Sequence, residues 1–298
     1  MTTINLALGK SLAGGLLAAT LAACTAPATD MAEPAMDDGR AVLFEEGFDS
    51  GSLDRAKWNV IGPDFWVNNE QQAYFDSPET IKFEDNVEGA DGGVLILEPV
   101  WKPGMDTNEE RNADFISGRV NTRGNFDFTY GRAEARIRMP DNVGAWPAFW
   151  LLGNGDWPYT GEIDIMEYVG DKSWTAVAIH GPGYSGDTPL VERRYFPEGQ
   201  DVTDWHVYGV EWTKDEIAFD VDGDVFYTVS RAEIERYGEW RFDTPKFVIL
   251  NFAVGGIYPW KVFDIEEPYY GLPQETADAI KRGEVRMEVD WVRVLGPE

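Results

Sequence analysis

The chain has 298 residues, with 25 Lys and Arg against 53 Asp and Glu and a formal charge of −28. A surface this acidic repels polyanions within a Debye length of about 8 Å, which excludes nucleic acid as a partner and disfavours sulfated or uronic-acid substrates. Disorder is excluded as well, because 43% hydrophobic residues, with 12 Trp, 12 Tyr and 16 Phe, supply ample material for a core.

In chain order, Lys10 precedes an apolar stretch from Leu12 to Ala23, which ends in small residues before Cys24. This is the layout of an export signal, too short and glycine-rich to span a bilayer. Leu21-Ala22-Ala23-Cys24 resembles the lipobox of bacterial lipoproteins, which implies lipidation at Cys24 and a cell-envelope lipoprotein, with Thr25 fitting outer-membrane sorting. An ordinary signal cut nearby, giving a periplasmic or secreted protein, is the alternative. Cys24 is the only cysteine in the chain, so neither a disulfide framework nor a thiolate metal cluster forms. Residues 24–40 read as a flexible tether of Ala, Pro, Asp and Met. The expected layout is signal 1–23, tether 24–40 and a single domain 41–298.

From Ala41 onward, short alternating runs punctuated by Gly, Pro, Asn and Asp predict an all-β sandwich of two antiparallel sheets. Arg132 to Met139 alternates charged residues with Ala133, Ala135, Ile137 and Met139, which predicts one wet face and one packed face. Ile217 to Val229 reads as a hairpin turned at Asp222-Gly223, residues that tolerate the positive φ of a type I′ turn. Asp220, Asp222 and Asp224 lack the downstream Glu of a calcium loop. Lys246 to Val254 and Arg286 to Leu295 read as further strands, and Gln274 to Arg282, between Pro273 and Gly283, as a short helix.

Glu162-Ile163-Asp164-Ile165-Met166-Glu167 places three carboxylates in one strand-like segment. Strict alternation turns Glu162 and Asp164 to one face and Glu167 to the other. A β-bulge at Ile165-Met166 returns Glu167 to the face of Glu162 and Asp164. Three acids on one face separate in pKa, which suits a nucleophile and a proton donor. On this reading Glu162 attacks the anomeric carbon of a glycoside, Glu167 is the acid/base, and Asp164 sets the charge of the nucleophile. An exposed acidic strand face is the bland alternative.

The same motif resembles the active site of family 16 of the glycoside hydrolases, the clan of laminarinases, lichenases and agarases. Similar blocks recur in the family's order, among them Asn68-Asn69-Glu70-Gln71, Ser117-Gly118-Arg119, Trp146-Pro147-Ala148-Phe149-Trp150 and Asn251-Phe252-Ala253-Val254-Gly255-Gly256. The resemblance covers roughly Val42 to Val294 and implies a jelly-roll fold with an open cleft on its concave face. It also implies retaining endo-hydrolysis of β-1,3-glucan with Glu162 as nucleophile and Glu167 as acid/base, and the bulged motif is similar to that of laminarinases and agarases. Mixed-linkage β-1,3/1,4-glucan or a galactan is the alternative substrate, and a non-catalytic sugar-binding jelly roll the alternative class.

Trp146 and Trp150, four residues apart on one strand face, are expected to stack on sugar, with core packing as the alternative. His180 shares a face with Ala176 and Ala178 and is placed beside the carboxylates; His206 is read as structural. By resemblance, Asn68, Arg132 and Asn251 bind sugar hydroxyls, and Trp260 adds a platform. The resemblance further implies a structural Ca²⁺ held by Asp290 with the carbonyls of Glu46 and Gly92, with no ion as the other reading. No cofactor is expected in catalysis. The expected partner is a neutral β-glucan, with contact to a membrane only through Cys24, and the protein is expected to be a monomer.

Overall fold

The computed structural model describes residues 36–37, 39–107 and 111–298; the signal, Cys24 and most of the tether lie outside them. The described strands, in chain order, are β1 Met36–Asp37, β2 Arg40–Glu46, β3 Asn59–Val60, β4 Gln72–Tyr74, β5 Ile81–Glu84, β6 Val94–Leu97, β7 Val100–Asp106, β8 Asn112–Ser117, β9 Arg119–Asn121, β10 Gly131–Arg138, β11 Ala145–Gly153, β12 Glu162–Glu167, β13 Trp174–His180, β14 Leu190–Tyr195, β15 His206–Trp212, β16 Glu216–Val221, β17 Asp224–Ser230, β18 Lys246–Val254 and β19 Met287–Leu295. Three short helices interrupt them: α1 Arg231–Ile234, α2 Ile257–Phe263 and α3 Gln274–Lys281.

Two antiparallel sheets face each other as a jelly-roll sandwich. The outer sheet runs β1-β2-β19-β10-β15-β16-β17, with β5 and β6 joined through β19. The other runs β14-β13-β12-β11-β18-β9-β3 and carries the acidic motif near its middle. A small third sheet, β4-β8-β7, adds a parallel β4–β8 pair at one end.

Alternation decides which residues lie between the layers. On β10, Ala133, Ala135 and Ile137 point inward, as do Phe149 and Leu151 on β11 and Val248, Leu250, Phe252 and Val254 on β18. Burying each of the larger side chains stabilises the fold by about 1.5–3 kcal/mol. The charged face of β10 is half-buried at Arg132, Arg136 and Arg138, and Glu134 is only 4% exposed, where Arg132 and Arg293 both donate to its carboxylate.

The hairpin β16–β17 turns at Asp222 and Gly223, with φ of 55° and 78°, so both central residues occupy the left-handed region that a type I′ turn requires. The predicted helix is present as α3, starting after Pro273. α2 was not anticipated. It starts after Gly256, whose φ is 98°, and lays Tyr258, Val262 and Phe263 over Trp146, Trp174 and Ala253 at one end of the motif-bearing sheet.

Candidate active site

Register shows how β12 brings its acids together. Asp164 pairs with Ala178 and Glu167 with Ala176 on β13, with a shift between the two pairs, so Ile165 and Met166 stand opposite one residue. β11 shows the same irregularity, with Trp150 opposite Asp164 and Phe149 opposite Met166. The extra residue is a β-bulge. Ile163, Ile165 and Met166 all enter the core between the sheets, and Glu162, Asp164 and Glu167 are left on the opposite face. Ala148, Ala176 and Ala178 pair with these acids, and their short side chains keep the floor of the face low.

His180, paired with Glu162, sits among the carboxylates. Its Nε2 lies 3.3 Å from Asp164 Oδ2 and 3.7 Å from Glu162 Oε1. Trp146 donates its indole N–H to Glu167 Oε1 at 2.9 Å, and Trp150 donates to Asn251 Oδ1 at 2.7 Å. A relay runs on from there: Asn251 donates to the Tyr74 hydroxyl, which donates to the buried Glu70, which also accepts from Gln72. Trp150 and Asn251 are thereby fixed from below, as a binding platform requires.

Burial, followed by the charge of Asp164, pushes both Glu162 and Glu167 up to about 8. Burial also holds Asp164 well above the usual carboxylate range. Opposing influences differ between the two glutamates. His180 and the Arg119 guanidinium favour the ionised form of Glu162, whereas the Trp146 N–H and His180 do so for Glu167. The cluster therefore retains protons at neutral pH, with the additional positive charge on the Glu162 side.

Glu162, Asp164 and His180 each offer a ligand atom within 4.8 Å of the others, a set able to close on a divalent ion. The same groups form the acid cluster.

Trp146, Trp150, His180 and Asn251 are thus gathered with the three acids. Asn68 donates to Glu70 and accepts at its carbonyl from Ile257 at the start of α2, and Trp260 stacks on Tyr270 at 5.2 Å. His206 is buried and structural, with Nδ1 2.7 Å from Asp222 and Nε2 3.1 Å from the Asp201 carbonyl. Arg119 and Tyr258 were not singled out from the sequence. The Arg119 guanidinium lies 4.8 Å from the Trp150 ring, and Tyr258 meets Trp146 edge-on at 5.5 Å.

One expectation needs correction. Arg132 belongs to β10 of the outer sheet, where Asp220 and Glu134 take its N–H groups and Gly209 leaves it room; a Cβ there would lie 2.4 Å from the guanidinium. It cannot reach a sugar beside Glu162. Asp290, expected to hold calcium with the carbonyls of Glu46 and Gly92, is buried and accepts from Arg136 and from the Asp91 N–H.

Residues 67–293 match the model of glycosyl hydrolases family 16. The chain is 34% identical over 230 residues to a β-glucanase of Rhodothermus marinus, an alignment covering 73% of this chain and 76% of the relative. It superposes on the laminarinase catalytic domain of Thermotoga maritima with a TM-score of 0.73 at 34% identity, covering 87% of this chain and 99% of that one. An endo-β-1,3-glucanase of Pyrococcus furiosus gives 0.74 at 31% identity, with 89% and 98% covered.

Proposed function

Because the chain belongs to glycosyl hydrolase family 16, and is accordingly an O-glycosyl hydrolase of β-1,3-glucan that needs no catalytic cofactor, we propose that Glu162 is its nucleophile and Glu167 its general acid/base. The observation that carries the assignment is the bulge at Ile165-Met166, which turns both glutamates and Asp164 to one face beside His180.

The chemistry runs in two steps. Glu162 forms a bond to the anomeric carbon as the glycosidic bond breaks, and Glu167 delivers its proton to the departing oxygen. Glu167, now ionised, takes a proton from water, and the water oxygen displaces Glu162 from the anomeric carbon. Two inversions give net retention. The positive charge of Arg119, which acts on Glu162 and not on Glu167, suits Glu162 to the anionic role, while burial keeps the proton on Glu167 until it is needed. Asp164, 3.3 Å from His180, couples the two by repulsion. Trp150, fixed through Asn251, offers indole to the apolar face of a sugar ring, while Trp146, covered by α2, presents its N–H to Glu167.

Incubation of the purified protein with laminarin tests this directly. New reducing ends that disappear in Glu162→Gln support the reading, and binding without cleavage overturns it in favour of a sugar-binding module.

Ahead of the catalytic domain, read as 41–298, the signal at 1–23 exports the protein, which is anchored through a lipid on Cys24 at the end of the tether 24–40 and acts as a monomer. Detergent-phase partitioning abolished by Cys24→Ala supports the anchor, and a wild-type protein that stays in the aqueous phase contradicts it.

A further inference from the structure

One row of residues crosses the cleft face from end to end. Successive strand pairings align Arg119 with Asn251, Asn251 with Ala148, Ala148 with Glu167, Glu167 with Ala176 and Ala176 with Arg193. Paired residues on antiparallel strands share a face, so these six run side by side over β9, β18, β11, β12, β13 and β14. Arg119 and Asn251 serve one side of Glu167. Arg193 stands on the other side, two strands away, or about 10 Å at ordinary strand spacing. Between them only Ala176 intervenes, so the floor is open from the acid/base to the guanidinium.

Arg193 is held in place although it is exposed. Its guanidinium lies 3.9 Å from the centroid of the Trp174 ring, and the Tyr258 hydroxyl hydrogen-bonds it. Trp174 itself is only 2% exposed, so the guanidinium, not the indole, forms the surface there. Stacking occupies one face and Tyr258 one position among five planar donors, which leaves others for a ligand.

The β14 side also has walls. α2 packs over Trp146 and Trp174, at the end of β13 where Trp174 begins it. The loop between β13 and β14 leaves from the opposite end, after His180. Lys261 of α2 nevertheless pairs with Asp187 of that loop, tying the two rims together. On the far rim, the exposed Trp157 ring lies 6.2 Å from His180. The acids at the centre of the row and the overall charge of −28 disfavour an anionic sugar, so the ligand suited to this place is a neutral hexose. Two of its hydroxyls can accept from the planar N–H fork.

We propose that Arg193 is a specificity-determining residue that, with Tyr258, binds the hydroxyls of a neutral glucosyl unit lying beyond the scissile bond on the β14 side, and so sets the chain length needed for efficient cleavage. This rests on reading the cleft as a β-1,3-glucanase site.

The test is kcat/KM on neutral β-1,3-gluco-oligosaccharides of increasing length for the wild type, Arg193→Met and Arg193→Lys. Losing hydrogen bonds from a charged donor predicts a fall of about tenfold or more in Arg193→Met for chains that reach the subsite. The shortest cleaved chains should show little change. Arg193→Lys keeps an aliphatic stem over Trp174 and a charge, and should show a smaller loss with the same length dependence. Its result stands even if Arg193→Met does not fold. An equal loss at every length, or none, overturns the subsite while leaving the glucanase reading intact. A wild type inert on every oligosaccharide overturns that reading and the subsite with it. A preference of the wild type for sulfated over neutral oligosaccharides that Arg193→Met abolishes overturns the assignment to a neutral sugar.

Discussion

Trp146 lies diagonally across the β11–β12 boundary from Glu167 and places its indole nitrogen 2.9 Å from Glu167 Oε1. The donor favours the ionised carboxylate and so opposes the burial that raises its pKa. Removing it should raise that pKa further. Trp146→Phe is expected to move the alkaline limb of the kcat/KM profile to higher pH and to lower kcat from a few-fold to about tenfold, the worth of one positioning hydrogen bond. A limb that moves to lower pH would contradict the electrostatics.

The two glutamates should separate by chemical rescue. Replacing either by Ala should lower turnover by about 10²–10⁴-fold or more. Azide added to Glu162→Ala replaces the missing nucleophile in a single displacement and should yield an α-glycosyl azide. With Glu167→Ala and an activated aryl glycoside, azide attacks the covalent intermediate and should yield the β product. NMR of the products checks this, and exchanged anomers would reverse the roles.

Charge crowding at the site also sets a stability prediction. The folded pKa values of Glu162 and Glu167 lie above their unfolded values, so the native state binds more protons and stability falls as pH rises from about 4.5 toward 8. Glu162→Gln or Glu167→Gln removes that cost. Each is expected to be more stable than wild type at pH 8 by about 1–3 kcal/mol, with the advantage fading at pH 4. Urea unfolding at both pH values measures it, and an amide variant less stable at pH 8 would count against the raised values.

Deleting Met166 would restore regular alternation to β12, leaving Glu162, Asp164 and the former Glu167 still on one face. The partners of Glu162 and Glu167 on β13, His180 and Ala176, already stand four positions apart, so the spacing of the glutamates along the strand changes little. The expected outcome is a folded protein, by near-UV circular dichroism, with reduced but measurable hydrolysis. A folded deletion variant with no activity would show that the bulge does more than return Glu167 to the cleft.

Much of this arrangement is legible in the sequence because it rests on local pattern. The strand Lys246–Val254, the turn at Asp222-Gly223 and the helix after Pro273 each carry their own signal, in a nearly continuous apolar run, in residues that accept positive φ and in a helix-start residue. The bulge at Ile165-Met166 is legible because the spacing of three acids makes sense only with it. Sheet order is not local, and the errors arise there. Alternation places Arg132 on a charged face but does not say that β10 belongs to the outer sheet beside β15 and β19. Arg119, Tyr258 and Arg193 come into the cleft through strands and a helix distant in sequence. α2, with Pro259 inside its first turn and no clean helical period, is held by packing on Trp146 and Trp174 and has little local signal of its own.

Glu162 and Glu167 are expected to hydrolyse β-1,3-glucan by double displacement. Proton NMR of laminarin digestion at early times tests it most directly. New reducing ends are expected to appear first as the β-anomer and then to mutarotate, and Glu162→Gln is expected to form none. Initial release of the α-anomer, or undiminished hydrolysis by Glu162→Gln, would contradict it.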